Sequence, residues 1–83
     1  MTKDAFVNLI KQAMQSNGYS RIKIYPALFG RTATISAKDR NGRRRELKAY
    51  LKTSFGKTKL VIESNDNMSW IDEFEVIDAI IND

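Results

Sequence analysis

Four stretches between Arg21 and Glu63 read at a period of two: "RIKIY", "TATISAK" and "ELKAYLK" alternate one for one, and "KTKLVIE" follows with Val61 as an apolar residue on the polar side. A period of two belongs to a strand with one buried and one wetted face, and no helix satisfies it. The alternation puts Ile22 and Ile24 on one side, with Arg21, Lys23 and Tyr25 on the other. Ala33, Ile35 and Ala37 point inward, and Thr32, Thr34, Ser36 and Lys38 outward. Leu47, Ala49 and Leu51 point inward, and Arg44, Glu46, Lys48, Tyr50 and Lys52 outward. In the last stretch Leu60 and Ile62 are inward, and Lys57, Lys59, Val61 and Glu63 outward. Asn41-Gly42 predicts a two-residue hairpin turn, since both residues tolerate positive φ. A second turn falls near Phe55-Gly56, and "ALFG" fits a bulge or turn. Pro26 cannot donate to a ladder, so the first strand lies at an edge or bends there.

The ends of the chain read differently. Phe6, Leu9, Ile10, Ala13 and Met14 make one stripe at the 3.6-residue period, which predicts a helix over residues 3–16. Thr2 is its candidate N-cap and Asn17-Gly18 its stop. Trp70, Phe74, Ile77 and Ile81 form a similar stripe, flanked by Ile71 and Ile80, and predict a closing helix over residues 69–82. Ser69 with Asp72 and Glu73 suits its first turn. On this reading Trp70 is core and Val76 is exposed. The expected fold is α+β in one domain, residues 1–83. It has two layers in the order α-β-β-β-β-α, with both helices on one face of an antiparallel meander sheet and the other face open.

Charge is segregated along this pattern. Residues 19–60 carry twelve Lys and Arg against Asp39 and Glu46, while residues 61–83 carry seven acids and no base. Strand parity collects Arg21, Lys23, Lys38, Arg44, Lys48, Lys52, Lys57 and Lys59 on the open face, where Glu46 and Glu63 are the expected acids. Tyr25 and Tyr50 share that face, and Arg40, Arg43, Arg44 and Arg45 crowd the hairpin tip. Cations spaced along one face neutralise phosphates, and interleaved aromatic rings serve as stacking platforms for bases. The Thr and Ser row at 32, 34 and 36 can donate to phosphates.

These thirteen residues, eleven cations and two tyrosines, make the expected ligand a nucleic acid, DNA or RNA. An acidic protein surface is the alternative partner, met by an accessory or inhibitor module of the kind mobile elements encode. Val76 with Ile80 offers a small contact for a weak homodimer. The acidic segment 61–83 balances the net charge.

Catalysis, cofactor and metal are not expected. The chain has neither Cys nor His, which removes thiolate sites, disulfides and the commonest general base. No apolar run approaches the roughly 20 residues of a membrane span, and "MTKDAFVNLIKQAM" carries polar residues all along it, so a cytoplasmic setting is expected. Asp39 followed by Glu46-Leu47-Lys48 is similar in residue types to the metal site of PD-(D/E)xK nucleases. Here, however, Asp39 lies beside the turn, and Glu-x-Lys is what a charged outer strand yields. The order of elements resembles a double-stranded-RNA-binding domain, but Asp66, Asp72 and Glu73 stand where that family has a lysine cluster. The hairpin "KDRNGRRRELK" resembles the basic hairpins of integrase arm-binding domains, a likeness confined to Lys38–Lys48.

Overall fold

The computed structural model describes residues 2–28 and 31–76. Helix α1 (Lys3–Ser16) is followed by five strands, β1 (Ser20–Pro26), β2 (Thr32–Lys38), β3 (Arg44–Ser54), β4 (Lys57–Ser64) and β5 (Ile71–Glu75). All pairings are antiparallel and the spatial order is β1-β2-β3-β4-β5.

An isolated helix as short as α1 is marginal in water, so its stability comes from the face it buries. Phe6, Ile10 and Met14 recur every fourth residue and are buried against the sheet. Each contributes about 1.5–3 kcal/mol by leaving water. Thr2 caps the start, its Oγ1 accepting from the Ala5 N–H at 3.1 Å. At the other end Gly18 N–H donates to Gln15 O at 3.0 Å and Tyr19 N–H to Met14 O at 3.1 Å. This paired closure needs a left-handed residue after the cap, and Gly18 supplies it at φ +83°.

The inner sheet face is built from Ala33, Ile35, Ala37, Leu47, Ala49, Leu60 and Ile62, all buried. Ala33 stands directly opposite Ala49, so the middle of this face presents small side chains to the larger ones of α1. The inward assignments made from parity for β2, β3 and β4 agree with these positions. β1 lies at a sheet edge and ends at Pro26.

Turn chemistry departs from expectation at Asn41-Gly42. The connection is wider than a two-residue loop, with Lys38 facing Arg44 and Asp39 N–H donating to Arg43 O at 2.9 Å. Gly42 N–H donates to Asp39 O at 3.0 Å, and Gly42 alone takes positive φ there. The Asp39 carboxylate sets the loop, since its Oδ1 accepts from both Asn41 N–H and Arg43 N–H at 2.9 Å. An aspartate that bonds the backbone two residues on favours this longer turn.

Among the described residues the expected second helix is not there. Residues 71–75 form β5, antiparallel to β4, and among the described residues one helix rather than two covers the sheet. Trp70 and Phe74 do pack against the core, as expected. They do so from alternate even positions of an extended chain, and Val76 is buried on the same side rather than exposed. The odd positions Ile71, Glu73 and Glu75 fall on the outer face, opposite Glu63, Val61 and Lys59. Pairing β5 supplies backbone partners to the outer edge of β4, and its acids meet lysines, which a helix would have left unanswered. The expected helix beyond residue 76, including Ile77, Ile80 and Ile81, lies outside the described residues.

Candidate functional site

Among the described residues nothing packs on the outer face of the sheet. Its composition differs from the sequence expectation because β5 adds acids to it. Lys48 Nζ lies 3.1 Å from Glu63 Oε1, Lys59 Nζ 3.5 Å from Glu73 Oε2, Lys57 Nζ 4.0 Å from Glu75 Oε1, and Arg44 Nε 3.5 Å from Glu46 Oε1. These pairs are solvent-exposed to varying degrees, so each contributes little to stability. Their effect is to divide the face: the β4–β5 side is mixed in sign, and the β1–β2–β3 side stays basic.

On the basic side two hollows adjoin. Arg21, Lys23, Ser36, Lys38 and Arg44 line one of about 290 Å³. Arg21, Lys23 and Lys38 have no acidic partner among the described residues. Arg21 reaches this position through a bulge, where the β1–β2 register shifts between Ser20 and Lys23 and Arg21 takes φ +49°. A bulge re-aims a side chain, and a non-glycine residue in this region holds local strain. Ser36 is buried beneath the cations, and its hydroxyl donates to Glu46 Oε1 at 3.4 Å.

Tyr25, Thr32, Thr34, Lys48 and Tyr50 line the second, an open groove of about 410 Å³. Register explains the grouping. Tyr25 faces Thr34, which faces Lys48, and Thr32 faces Tyr50. The two rings therefore flank β2, two inter-strand spacings across and two residues along, about 12 Å apart. They are too distant to stack on each other, and the threonines floor the space between. Tyr25 is well exposed, while Tyr50 leans toward β4 and its hydroxyl donates to Glu63 Oε2 at 3.5 Å.

No family model, no curated protein and no solved structure matches this chain. The site is therefore read from its own chemistry.

The remaining expected site residues are distributed differently. Lys52, Lys57 and Lys59 sit on the outer face at the far end of the β3–β4 hairpin. Arg43 is exposed at the β2–β3 turn. Arg40 turns to the helix, where its Nε donates to Asn17 O at 3.3 Å, answering the carbonyl end of α1. Arg45 leaves the surface altogether. It faces Ala37 on the inner side of the sheet and is buried. Its Nε donates to Asp66 Oδ2 at 2.9 Å and its Nη2 to Ser64 Oγ at 3.0 Å. The Arg45 guanidinium and the N–H groups of Met68 and Glu46 hold the Asp66 carboxyl down to about 2. Burial raises the pKa of the neighbouring Tyr19, whose ring meets Trp70 at 5.9 Å. Arg45 is thus a structural residue joining β3 to the β4–β5 loop.

Asp39 is likewise engaged by the turn, and among the described residues no group of three or more acidic side chains is placed to hold a metal ion. No described helix is long and apolar enough to cross a membrane. Sequence reading passed over Phe55. Its signal was present in the dipeptide Phe-Gly, which puts a large aromatic where a tight turn prefers Asn or Gly.

Proposed function

We propose that the domain is a binding module for single-stranded nucleic acid, acting through the β1–β2–β3 side of its outer face. The observation that supports this best is the adjacency of the two hollows on one surface. One offers Arg21, Lys23, Lys38 and Arg44 to phosphates, and the other offers Tyr25 and Tyr50 to bases. Phosphate contact supplies affinity through counterion release, and aromatic stacking supplies a base-tolerant grip. A duplex hides its base faces, which leaves tyrosines on an open sheet without a partner. In this reading Lys48, Thr32 and Thr34 contact the strand between the rings, and no chemical step is involved.

The test is fluorescence polarisation with single- and double-stranded DNA and RNA at low and moderate salt. Single strands bind more tightly than duplexes, and affinity falls steeply with salt. Changing Lys23, Lys38 and Arg44 together to Ala lowers the salt slope by about two to three. Changing Tyr25 or Tyr50 to Leu weakens binding with the slope unchanged. Absence of binding to any of the four ligands at low salt would sink the reading and favour a protein partner.

A further inference from the structure

We infer that Phe55, at the tip of the β3–β4 hairpin, is a third stacking residue, reached by a strand that is anchored in the phosphate hollow at Arg44 and runs on along β3. The inference rests on the nucleic-acid reading above and extends its footprint beyond the tyrosine groove.

Phe55 and Gly56 form the two-residue turn between β3 and β4, at φ +52° and +75°. Positive φ at both places is what a tight hairpin turn requires, and Asn, Asp or Gly adopts it readily. A bulky aromatic does not, and at the first position it is a conformational outlier. The ring gains nothing in return from the fold, since Phe55 is 101% exposed. Backbone preference and burial both argue against Phe here, so its use lies outside the folded chain.

The surroundings indicate the partner. Lys52 stands directly opposite Lys59, and Ser54 opposite Lys57. Glu73 answers Lys59 at 3.5 Å, whereas Lys52 has no acidic partner among the described residues. A phosphate beside the tip would give Lys52 the counter-charge it lacks. No second large apolar side chain accompanies Phe55 in the turn, so the tip lacks the apolar area that seats a hairpin in a lipid surface. A single ring beside cations and hydroxyls suits a base with its phosphate.

Distance sets the length of ligand. Arg44, Glu46, Lys48, Tyr50, Lys52 and Ser54 lie along one face of β3 and lead to Phe55. Eleven steps at about 3.3 Å span roughly 36 Å, close to the 35 Å long axis of the described chain. At about 3.4 Å per stacked nucleotide the run corresponds to roughly ten nucleotides.

The experiment compares the full chain with F55A and F55N, using fluorescent oligothymidylates of about twelve and about five nucleotides at low salt, together with thermal melts. Both variants weaken the longer ligand about tenfold, the loss of one stacked base, and leave the shorter one unchanged. F55N also melts higher than the parent, because Asn relaxes the turn. Stability and affinity thus move in opposite directions, which a purely structural role does not produce. Unchanged affinity for the long ligand in both variants, with Tyr25→Leu still weakening it, overturns the role of Phe55 and leaves the nucleic-acid reading standing. Failure of the parent to bind either oligonucleotide overturns both. Binding of the parent, but not F55A, to anionic phospholipid vesicles, with oligonucleotide affinity unaffected, assigns the tip to a lipid surface and overturns the inference.

Discussion

Arg45 and Asp66 meet at 2.9 Å with 6% and 20% of their side chains exposed, while the other ion pairs among the described residues lie further into solvent. The pair ties the middle of the arginine run to the loop that leads into β5. It marks where the sheet, and not a ligand, claims a cation.

Removing that cation unfolds more than it unbinds. Arg45→Met leaves the Asp66 carboxylate without its strongest partner and costs about 2 kcal/mol, or about 10 °C in melting temperature for a domain of this size. Nucleic-acid affinity per folded molecule stays unchanged. A melt by circular dichroism alongside polarisation titrations separates the two effects.

The same pair sets an acid limit. Asp66 has its folded pKa lowered from 3.8 to about 2. A lowered carboxyl binds its proton less well folded than unfolded. Its stabilising contribution is therefore complete above about pH 3.8 and disappears as pH falls through about 2. Urea midpoints followed across that window fall in the parent, and the fall is smaller in Asp66→Asn. An equal fall in both would assign the acid sensitivity to other groups.

Gly18 and Arg40 are coupled across the helix end. A Cβ on Gly18 would come within 2.6 Å of Arg40 Cγ, at a backbone φ of +83°. Gly18→Ala costs about 1–2 kcal/mol from backbone strain and crowding together. Arg40→Ala removes the crowding, so the double variant is more stable than the two single losses add up to. A double-mutant cycle by urea denaturation measures the difference.

The acids of β5 restrain the outer face. Changing Glu73 and Glu75 to Gln frees Lys59 and Lys57, and single-strand affinity rises several-fold with a steeper salt slope. Stability changes little, because exposed pairs contribute about 0–1 kcal/mol each. Unchanged affinity in this variant would place the ligand wholly on β1–β2–β3, away from the lysines of β4.

Parity in the sequence located the inner row of β2, β3 and β4, because every second residue there is apolar. Arg45 is expected at the basic tip because of the density of neighbouring arginines, although the same parity sets it in line with Leu47 and Ala49 on the inner side, where it is buried. Its partner stands 21 residues away, a separation no local pattern reveals. The misread segment has a related cause. Trp70 and Phe74 are four apart, a spacing that suits one face of a helix and one face of a strand equally well. What decides between them is the cross-strand position of Glu73 and Glu75 relative to Lys59 and Lys57, a long-range fact. The turn at Asn41 was legible in place but not in form, since the side chain of Asp39 lengthens it.

Each strand pairs with the one before it in sequence, and the four links between strands span five, five, two and six residues. Loop closure is therefore short-range at every step, and the sheet can grow by successive hairpins without a long crossover. Folding rate follows how local the contacts are, so this sheet should form near the fast end of the range for β-rich domains. The two-residue link at Phe55-Gly56 closes the longest ladder over the shortest loop, so the strain Phe55 puts into that turn falls on the step where closure is otherwise most local.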